Sequence, residues 1–107
     1  MTVLFDVVDP RGFKVICTEE CWNDHILDEH PIMVGLEKEV EETIRKPQLF
    51  IYQDRDYPER HIYYGKSSTG VRYTKVIVEF QNPNSGEVIT AFLTDSGKTG
   101  EALIWPD

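Results

Sequence analysis

The sequence predicts an α+β domain in which two N-terminal helices pack on a four-stranded antiparallel β-sheet, preceded by a short β-hairpin. Hydrophobic residues recur at helical spacing before Pro47. After Pro47 they alternate with polar residues in short runs separated by turn-forming residues, which is typical of strands. Helices segregated from strands in this way indicate the α+β class. The 107 residues fit a single domain spanning 1–107.

The hairpin is predicted from two short apolar runs at the start of the chain, Leu4–Val8 and Phe13–Ile16. The residues between them are Asp9-Pro10-Arg11-Gly12. In such a turn, proline presets φ and glycine accepts a positive φ. The two runs are therefore expected to pair as short antiparallel strands.

The first helix is predicted to begin after Thr18, because a threonine side chain caps helix N-termini. Trp22 and Ile26 lie four residues apart and are expected to face the core. Pro31 disfavours helical conformation in the residue before it, so this helix should end near Glu29.

The second helix is predicted from about Val34 to Lys46. It is indicated by a stripe of apolar residues at helical spacing: Leu36, Val40 and Ile44. Pro47 closes it.

The four sheet strands are predicted where apolar and polar residues alternate. Their ranges are Leu49–Tyr52, His61–Tyr64, Arg72–Phe80 and Val88–Thr94. The final apolar segment, Leu103–Trp105, is predicted either to pair briefly or to pack as a tail. The sequence shows no repeat or linker.

The negative charge of the chain is concentrated in its first half. The chain carries a net charge of −8, from 11 Lys and Arg against 19 Asp and Glu. Nine of the acids lie between Glu19 and Glu42, and Lys38 alone opposes them, so this window holds the whole net charge. A protein this acidic repels nucleic acid. The segment from Thr43 to Lys98 has a slight excess of bases, however, and a polyanion could dock there. The simpler interpretation of the acids is a solvated helical face.

Membrane association is not expected, and the predicted location is cytoplasmic. No apolar run approaches the roughly 20 residues that span a bilayer. The N-terminal residues lack the basic start and apolar stretch of a signal peptide. The two cysteines, Cys17 and Cys21, are therefore expected to be reduced thiols.

The spacing of Cys17, Cys21 and His25 also raises a zinc hypothesis, since residues four apart share a helix face. Two features argue against it. Thr18 as an N-cap places Cys17 before the helix, and the spacing differs from the usual Cys-x2-Cys ligand pair. Buried or half-buried thiols are favoured, and no metal or cofactor is predicted.

The string Trp22-Asn23-Asp24-His25-Ile26-Leu27-Asp28-Glu29-His30-Pro31 is unusual. It is followed by Ile44-x-x-Pro47 and by Val88-Ile89-Thr90-Ala91-Phe92. This pattern resembles the phage-associated branch of the barnase–EndoU–colicin–RelE-like nuclease fold. Members of that branch are similar in carrying a Trp-x-x-His-Ile…His-Pro helix, a second helix ending at Pro, and a late strand with Thr-Ala. The match spans roughly Cys21 to Trp105.

The resemblance implies two helices on a four-stranded antiparallel sheet. It also implies a metal-independent RNase of phage, mobile-element or toxin type. Metal-free RNA cleavage needs an acid and a base near neutral pKa, which histidine supplies, and cations for the phosphate. His25 and Thr90 match the family pattern as candidate catalytic residues, and His30 matches its His-Pro.

Residue type and expected strand position add His61 as a fourth catalytic candidate. The same reasoning gives the candidate RNA-binding residues Arg60, Lys66, Arg72 and Lys75. Each candidate also has a structural interpretation, such as helix capping for His30 or β-propensity for Thr90.

Two functional hypotheses follow, which differ in the expected partner. The first is a small endoribonuclease acting on RNA through His25. The second is a catalytically inactive relative that binds a basic protein partner or inhibitor through its acidic helices. An unrelated enzyme or small-molecule binder is the remaining alternative. The sequence does not indicate an oligomeric state.

Overall fold

The computed structural model describes residues 2–47, 50–97 and 100–106. Its main feature is one seven-stranded sheet. In chain order the strands are β1 (Val3–Val8), β2 (Lys14–Thr18), β3 (Ile51–Asp54), β4 (Arg60–Lys66), β5 (Tyr73–Asn82), β6 (Ser85–Thr94) and β7 (Glu101–Trp105). Across the sheet the order is β1-β2-β6-β5-β4-β3-β7. Every neighbouring pair is antiparallel except β2 and β6, which are parallel.

The predicted fold class is therefore wrong, because the sheet is mixed and has seven strands rather than four antiparallel ones. The N-terminal hairpin forms, but it joins the main sheet through Lys14–Ile16 of β2 and Ser85–Glu87 of β6. The C-terminal segment pairs along β3 as an edge strand. Local alternation of apolar residues predicts which face of a strand each side chain lies on, but it does not predict which strand lies next to it in the sheet. A parallel pairing between distant segments thus leaves no local pattern.

Two helical segments connect β2 to β3. The first, here called the composite helix, consists of an α-helical turn (Glu19–Cys21), a π-helical turn (Trp22–Ile26) and another α-helical turn (Leu27–Glu29). Thr18 Oγ1 accepts a hydrogen bond from the Cys21 amide at 3.0 Å. The predicted cap at Thr18 and the predicted end near Glu29 are confirmed.

The second helix spans Glu37–Arg45, a shorter range than predicted. A 3₁₀ turn (Pro31–Met33) and Gly35, whose φ is +82°, precede it and delay its start. A positive φ is incompatible with a right-handed helix, and glycine accepts it at no steric cost. The predicted strand over Leu49–Tyr52 lies partly outside the described residues, and its described part forms the start of β3.

The core lies between the second helix and one face of the sheet, here called the core face (Tyr63, Gly65, Thr74, Val76, Val78 and Ala91). Val40 and Ile44 of the helix are fully buried, as the apolar stripe predicts. A Cβ added at Gly65 would lie 2.7 Å from Thr43 Oγ1. Glycine at this position therefore lets the helix approach β4 closely.

The opposite face, here called the outer face, carries Arg60, Tyr64, Lys75, Glu79, Thr90 and Phe92. Lys75 Nζ of β5 lies 3.0 Å from Glu101 Oε2 of β7. In a flat sheet these strands, three positions apart, would be separated by about 14 Å. The contact shows that the sheet curls over its outer face at this end. Within the described residues, no helix is long and apolar enough to cross a membrane.

Candidate functional site

A groove of about 560 Å³ lies between the composite helix and the outer face of the sheet. Its lining residues are Cys21, His25, Arg60, Glu79, Val88, Ile89 and Thr90. Three of the eight candidates from the sequence, His25, Arg60 and Thr90, thus line one groove. They come from three different elements: the composite helix, β4 and β6.

The position of the composite helix follows from the short pairing between β2 and β6. Of the described residues of β6, β2 pairs with Ser85–Glu87 alone, so the rest of that edge of β6 is left for the helix that continues from β2. Cys21 Sγ donates a hydrogen bond to the Val88 carbonyl at 3.1 Å, which fixes the helix against the strand. His25, one turn further on, is thereby held beside Thr90.

Backbone irregularities occur on both sides of the groove. His25 lies within the π-helical turn, and such turns are frequent at functional sites. On the opposite wall, Val78 pairs with Val88 and Ile77 pairs with Thr90, so Ile89 is the extra residue of a β-bulge. Bulges re-aim side chains and are common beside active sites. Both irregularities direct side chains towards the same space.

His25 is held by a carboxylate on its own helix. Its Nδ1 lies 2.9 Å from Glu29 Oε1, one helical turn away, and both side chains are about half exposed. With the proton placed on Nδ1 by this contact, Nε2 carries the lone pair of the neutral ring. Glu29 therefore selects the tautomer with which His25 can accept a proton.

Arg60 is held by two contacts that leave part of its guanidinium available. Its Nε donates to Glu79 Oε2 at 3.2 Å, and its Cζ lies 4.4 Å from the centre of the Tyr57 ring. Among the described residues, its terminal amino groups have no hydrogen-bond partner. Those groups can form the bidentate hydrogen bonds with which arginine recognises phosphate.

The groove therefore combines an imidazole, a carboxylate, a guanidinium and a hydroxyl. The imidazole of His25 and the carboxylate of Glu79 can exchange protons with a bound molecule, while Arg60 and Thr90 can donate hydrogen bonds to an anion. No cluster of three or more His, Cys, Asp or Glu side chains suited to a metal ion occurs among residues 2–47, 50–97 and 100–106.

The other two histidines lie outside the groove. The His30 ring stacks on Phe92, with ring centres 5.1 Å apart. Phe92 follows Thr90 by two residues on the same strand face, which places His30 about 7 Å further along β6. His61 points to the core face, since side chains alternate along β4 and its neighbour Arg60 points to the outer face.

His61 is partly buried, close to the Phe80 ring and to the charged side chains of Arg11 and Asp9. Its ring lies 4.5 Å from that of Phe80, and its Nδ1 is buried with no hydrogen-bond partner among the described residues. The pKa of His61 is lowered to about 4, mainly by burial. The nearby Arg11 guanidinium also lowers this pKa, and the Asp9 carboxylate raises it by a smaller amount. His61 is therefore neutral near pH 7.

We expect His61 to make the fold sensitive to mild acid. Its pKa is about 4 in the folded chain and about 6.5 when unfolded, so the unfolded state takes up the proton first as the pH falls. The free energy of unfolding should therefore decrease between about pH 6.5 and pH 4, with an upper limit of about 3 kcal/mol from this residue. A His61→Phe variant, which cannot titrate, should gain stability relative to the wild type as the pH is lowered through this range. A difference between the two that stays constant with pH in urea titrations would contradict the assignment.

The remaining basic candidates lie elsewhere on the surface or in the interior. Lys66 and Arg72 line a separate depression of about 530 Å³ with the loop at 67–71 and Asp95. Lys75 is only 2% exposed and forms its ion pair with Glu101. The structure thus brings Arg60, and neither Lys66 nor Arg72, together with His25.

Sequence reasoning missed three polar residues of this site: Cys21, Glu29 and Glu79. The spacing of Glu29, four residues after His25 on a helix, was a usable signal for an ion pair. Glu79 could be placed only with the register of β4 against β5, in which it pairs with Arg60.

Comparisons of the chain with protein-family models, with curated proteins and with solved structures find no match. The resemblance to the nuclease fold therefore stays a prediction.

Proposed function

We propose that the chain is a small metal-independent endoribonuclease whose active site is the groove between the composite helix and β6. One observation carries this proposal. A single groove is lined by a histidine whose tautomer is set by a carboxylate, by a second carboxylate, and by an arginine and a threonine that can hold a phosphate. These are the groups that transesterification at a ribose phosphate requires.

In the proposed reaction the ribose 2′-oxygen attacks the adjacent phosphorus, and the bond to the 5′-oxygen of the next nucleotide breaks. One proton leaves the 2′-hydroxyl and one is delivered to the departing 5′-oxygen. The Glu79 carboxylate takes up the proton of the 2′-hydroxyl, and His25, after it has accepted a proton at Nε2, delivers that proton to the 5′-oxygen. Arg60 and Thr90 donate hydrogen bonds to the phosphate oxygens, whose charge grows in the transition state. The products are a 2′,3′-cyclic phosphate and a 5′-hydroxyl.

The acidic character of the chain restricts the kind of RNA that this site would accept. A net charge of −8 repels a long polyanion, and Glu29 and Glu79 add negative charge at the groove itself. Binding would therefore depend on a few local phosphate contacts through Arg60. Tyr57, which is 51% exposed beside Arg60, offers a ring on which an unpaired base can stack.

The test is an RNA cleavage assay in EDTA with two matched pairs of variants. His25→Ala should reduce the rate about 10²- to 10⁴-fold, the usual contribution of an acid–base group, whereas His30→Ala should keep most of the activity. Arg60→Gln should weaken cleavage, and Arg72→Gln, in the other depression, should not.

Equal cleavage by the wild type and His25→Ala would assign the activity to a contaminant and overturn the proposal. Intact RNA with every protein, at low salt and high protein concentration, would overturn it as well.

The second candidate function is a protein-binding module. It is favoured because some acidic side chains form hydrogen bonds or ion pairs within the chain, whereas others on the composite helix are exposed. Glu39 accepts hydrogen bonds from Thr74 and Ser68, and Arg45 pairs with both Glu41 and Glu42. On the composite helix, Glu19, Asp24 and Asp28 are exposed and have no ion pair among the described residues. A basic partner would bind there. Replacing these three residues by Lys would abolish such binding.

A further inference from the structure

A second depression, of about 530 Å³, lies at the other end of the outer face from the groove. It is here called the basic depression, and the side chains that carry its chemistry are Lys66, Ser67, Thr69, Arg72, Tyr73 and Asp95. Tyr73 of this depression and Glu79 of the groove lie six residues apart on β5, with their side chains on the same face. About 20 Å of strand therefore separates the two sites. A depression of this volume has room for a small organic ligand.

The basic depression contains two cations that form no ion pair or side-chain hydrogen bond within the part of the chain that the structure describes. Lys66 is the last residue of β4, Arg72 immediately precedes β5, and both are exposed. Other basic side chains of this acidic protein are each paired with a carboxylate: Arg11, Arg45, Arg60 and Lys75. Two neighbouring cations without such a partner favour an anionic ligand, and arginine binds phosphate through two parallel hydrogen bonds.

The loop between the two cations is held in place by carboxylates from both sides. Glu39 of the second helix accepts the Ser68 amide at 3.0 Å and the Thr74 hydroxyl at 2.7 Å, through its two different oxygens. Asp95, which follows β6, accepts the Arg72 amide through Oδ1 at 3.0 Å. A surface that is ordered before the ligand arrives loses less conformational entropy on binding.

Tyr73 and Asp95 indicate which groups the ligand carries besides its anion. The Tyr73 ring is half-buried and meets the Tyr64 ring edge-on, with ring centres 5.9 Å apart. The Arg72 Cζ lies 5.8 Å from the centre of the Tyr73 ring. A tyrosine ring fixed in this way can stack on a nucleobase. Asp95 Oδ2 accepts no hydrogen bond from the described residues and can accept one from a ribose hydroxyl.

We propose that the basic depression binds a nucleoside monophosphate. The phosphate lies between Lys66 and Arg72, the base stacks on Tyr73, and the ribose hydroxyls face Asp95. The inference does not depend on RNA cleavage, because none of these residues lines the groove that contains His25.

The test measures binding of uridine monophosphate to the folded chain by isothermal titration calorimetry at low salt and neutral pH. We expect saturable binding of one molecule per chain. Uridine and inorganic phosphate should each bind more weakly, because each supplies only part of the contacts. Lys66→Gln and Arg72→Gln should each weaken binding about tenfold or more, the effect of losing a hydrogen bond to a charged group. Lys14→Gln, which removes an exposed lysine from β2, is the control for net charge and should leave the affinity unchanged.

A second set of variants tests the stacking and the location of the site. Tyr73→Phe keeps the ring and should retain the affinity. Tyr73→Leu should weaken binding of uridine monophosphate but not of inorganic phosphate, and thermal unfolding confirms that both variants are folded. Arg60→Gln, in the groove, should bind the nucleotide as the wild type does.

Four results would each contradict the proposal. They are the absence of saturable binding, an affinity for uridine or inorganic phosphate equal to that for the nucleotide, unchanged binding by Arg72→Gln, and loss of binding in Arg60→Gln. The last result would place the nucleotide in the groove instead. None of these measurements involves RNA cleavage, so their outcome is separate from that of the cleavage assay.

Discussion

Replacing Asp9 by Ala is expected to lower the free energy of unfolding by about 3–5 kcal/mol, the cost of removing one partner from a buried ion pair. The Asp9 side chain is completely buried, and its two oxygens have separate roles. Oδ1 accepts the amides of Arg11 and Phe13 at 2.8 and 3.1 Å. Oδ2 accepts Nε and a terminal amino group of Arg11 at 3.0 and 2.7 Å, and the Tyr63 hydroxyl at 2.8 Å.

Without Asp9, the buried Tyr63 hydroxyl loses its acceptor. The largely buried Arg11 guanidinium keeps its hydrogen bond to the Tyr63 oxygen but loses its counter-charge. Asp9→Asn should cost less than Asp9→Ala, because Oδ1 can keep both amide bonds of the turn while the charge is lost. Asp6→Ala, an exposed acid on β1, serves as the control and should change stability by less than about 0.5 kcal/mol. Urea titration measures all three. Similar stabilities for Asp9→Ala and Asp6→Ala would show that the Asp9 cluster does not hold the hairpin to β4.

The second large effect is expected at Lys75, where Lys75→Met should also cost about 3–5 kcal/mol. Lys75 and Glu101 are 2% and 5% exposed, and the Tyr64 hydroxyl donates to the other oxygen of Glu101 at 2.8 Å. The Lys75 ammonium also lies 5.4 Å from the Tyr64 ring and 5.6 Å from the Phe92 ring. Met fills similar space but leaves the Glu101 carboxylate buried and unpaired.

The double variant Lys75→Met/Glu101→Leu distinguishes this explanation from simple loss of packing. Because it removes both charges, it should be more stable than Lys75→Met alone. Lys14→Met, at an exposed position of β2, is the matched control and should be nearly neutral. A double variant less stable than the single one would contradict the assigned cost of an unpaired charge.

Local signals in the sequence predicted the two ends of the first helix well, the start of the second helix less well, and the sheet poorly. A capping threonine and a proline act on adjacent residues, so Thr18 and Pro31 define the composite helix from a short window of sequence. The parallel pairing of β2 with β6 depends on the whole chain. The strand at the C-terminal end of the chain, β7, is held partly by the long-range pair between Glu101 and Lys75, which no local pattern reveals.

In the candidate site, too, some residues are predicted by local sequence and others are placed by long-range strand pairing. His25 was predicted from the string around it, and its partner Glu29 follows from helical spacing. The meeting of Arg60, Glu79 and Thr90 requires the registers of three strands and the bulge at Ile89. In the sequence, Lys75 is typical of a base that binds substrate. The alternating strand pattern does not reveal that the sheet curls over its outer face and buries Lys75 against Glu101.

The central claim, cleavage of RNA by attack of a ribose 2′-hydroxyl, is tested most directly with a defined substrate. The substrate is a DNA oligonucleotide that contains a single ribonucleotide, incubated with the wild type in EDTA. We expect one cut, 3′ to the ribonucleotide, with a 2′,3′-cyclic phosphate on one product and a 5′-hydroxyl on the other, and no cut with His25→Ala. Cleavage at deoxyribonucleotide linkages, products ending in a 3′-hydroxyl, or the same yield with His25→Ala would contradict the claim.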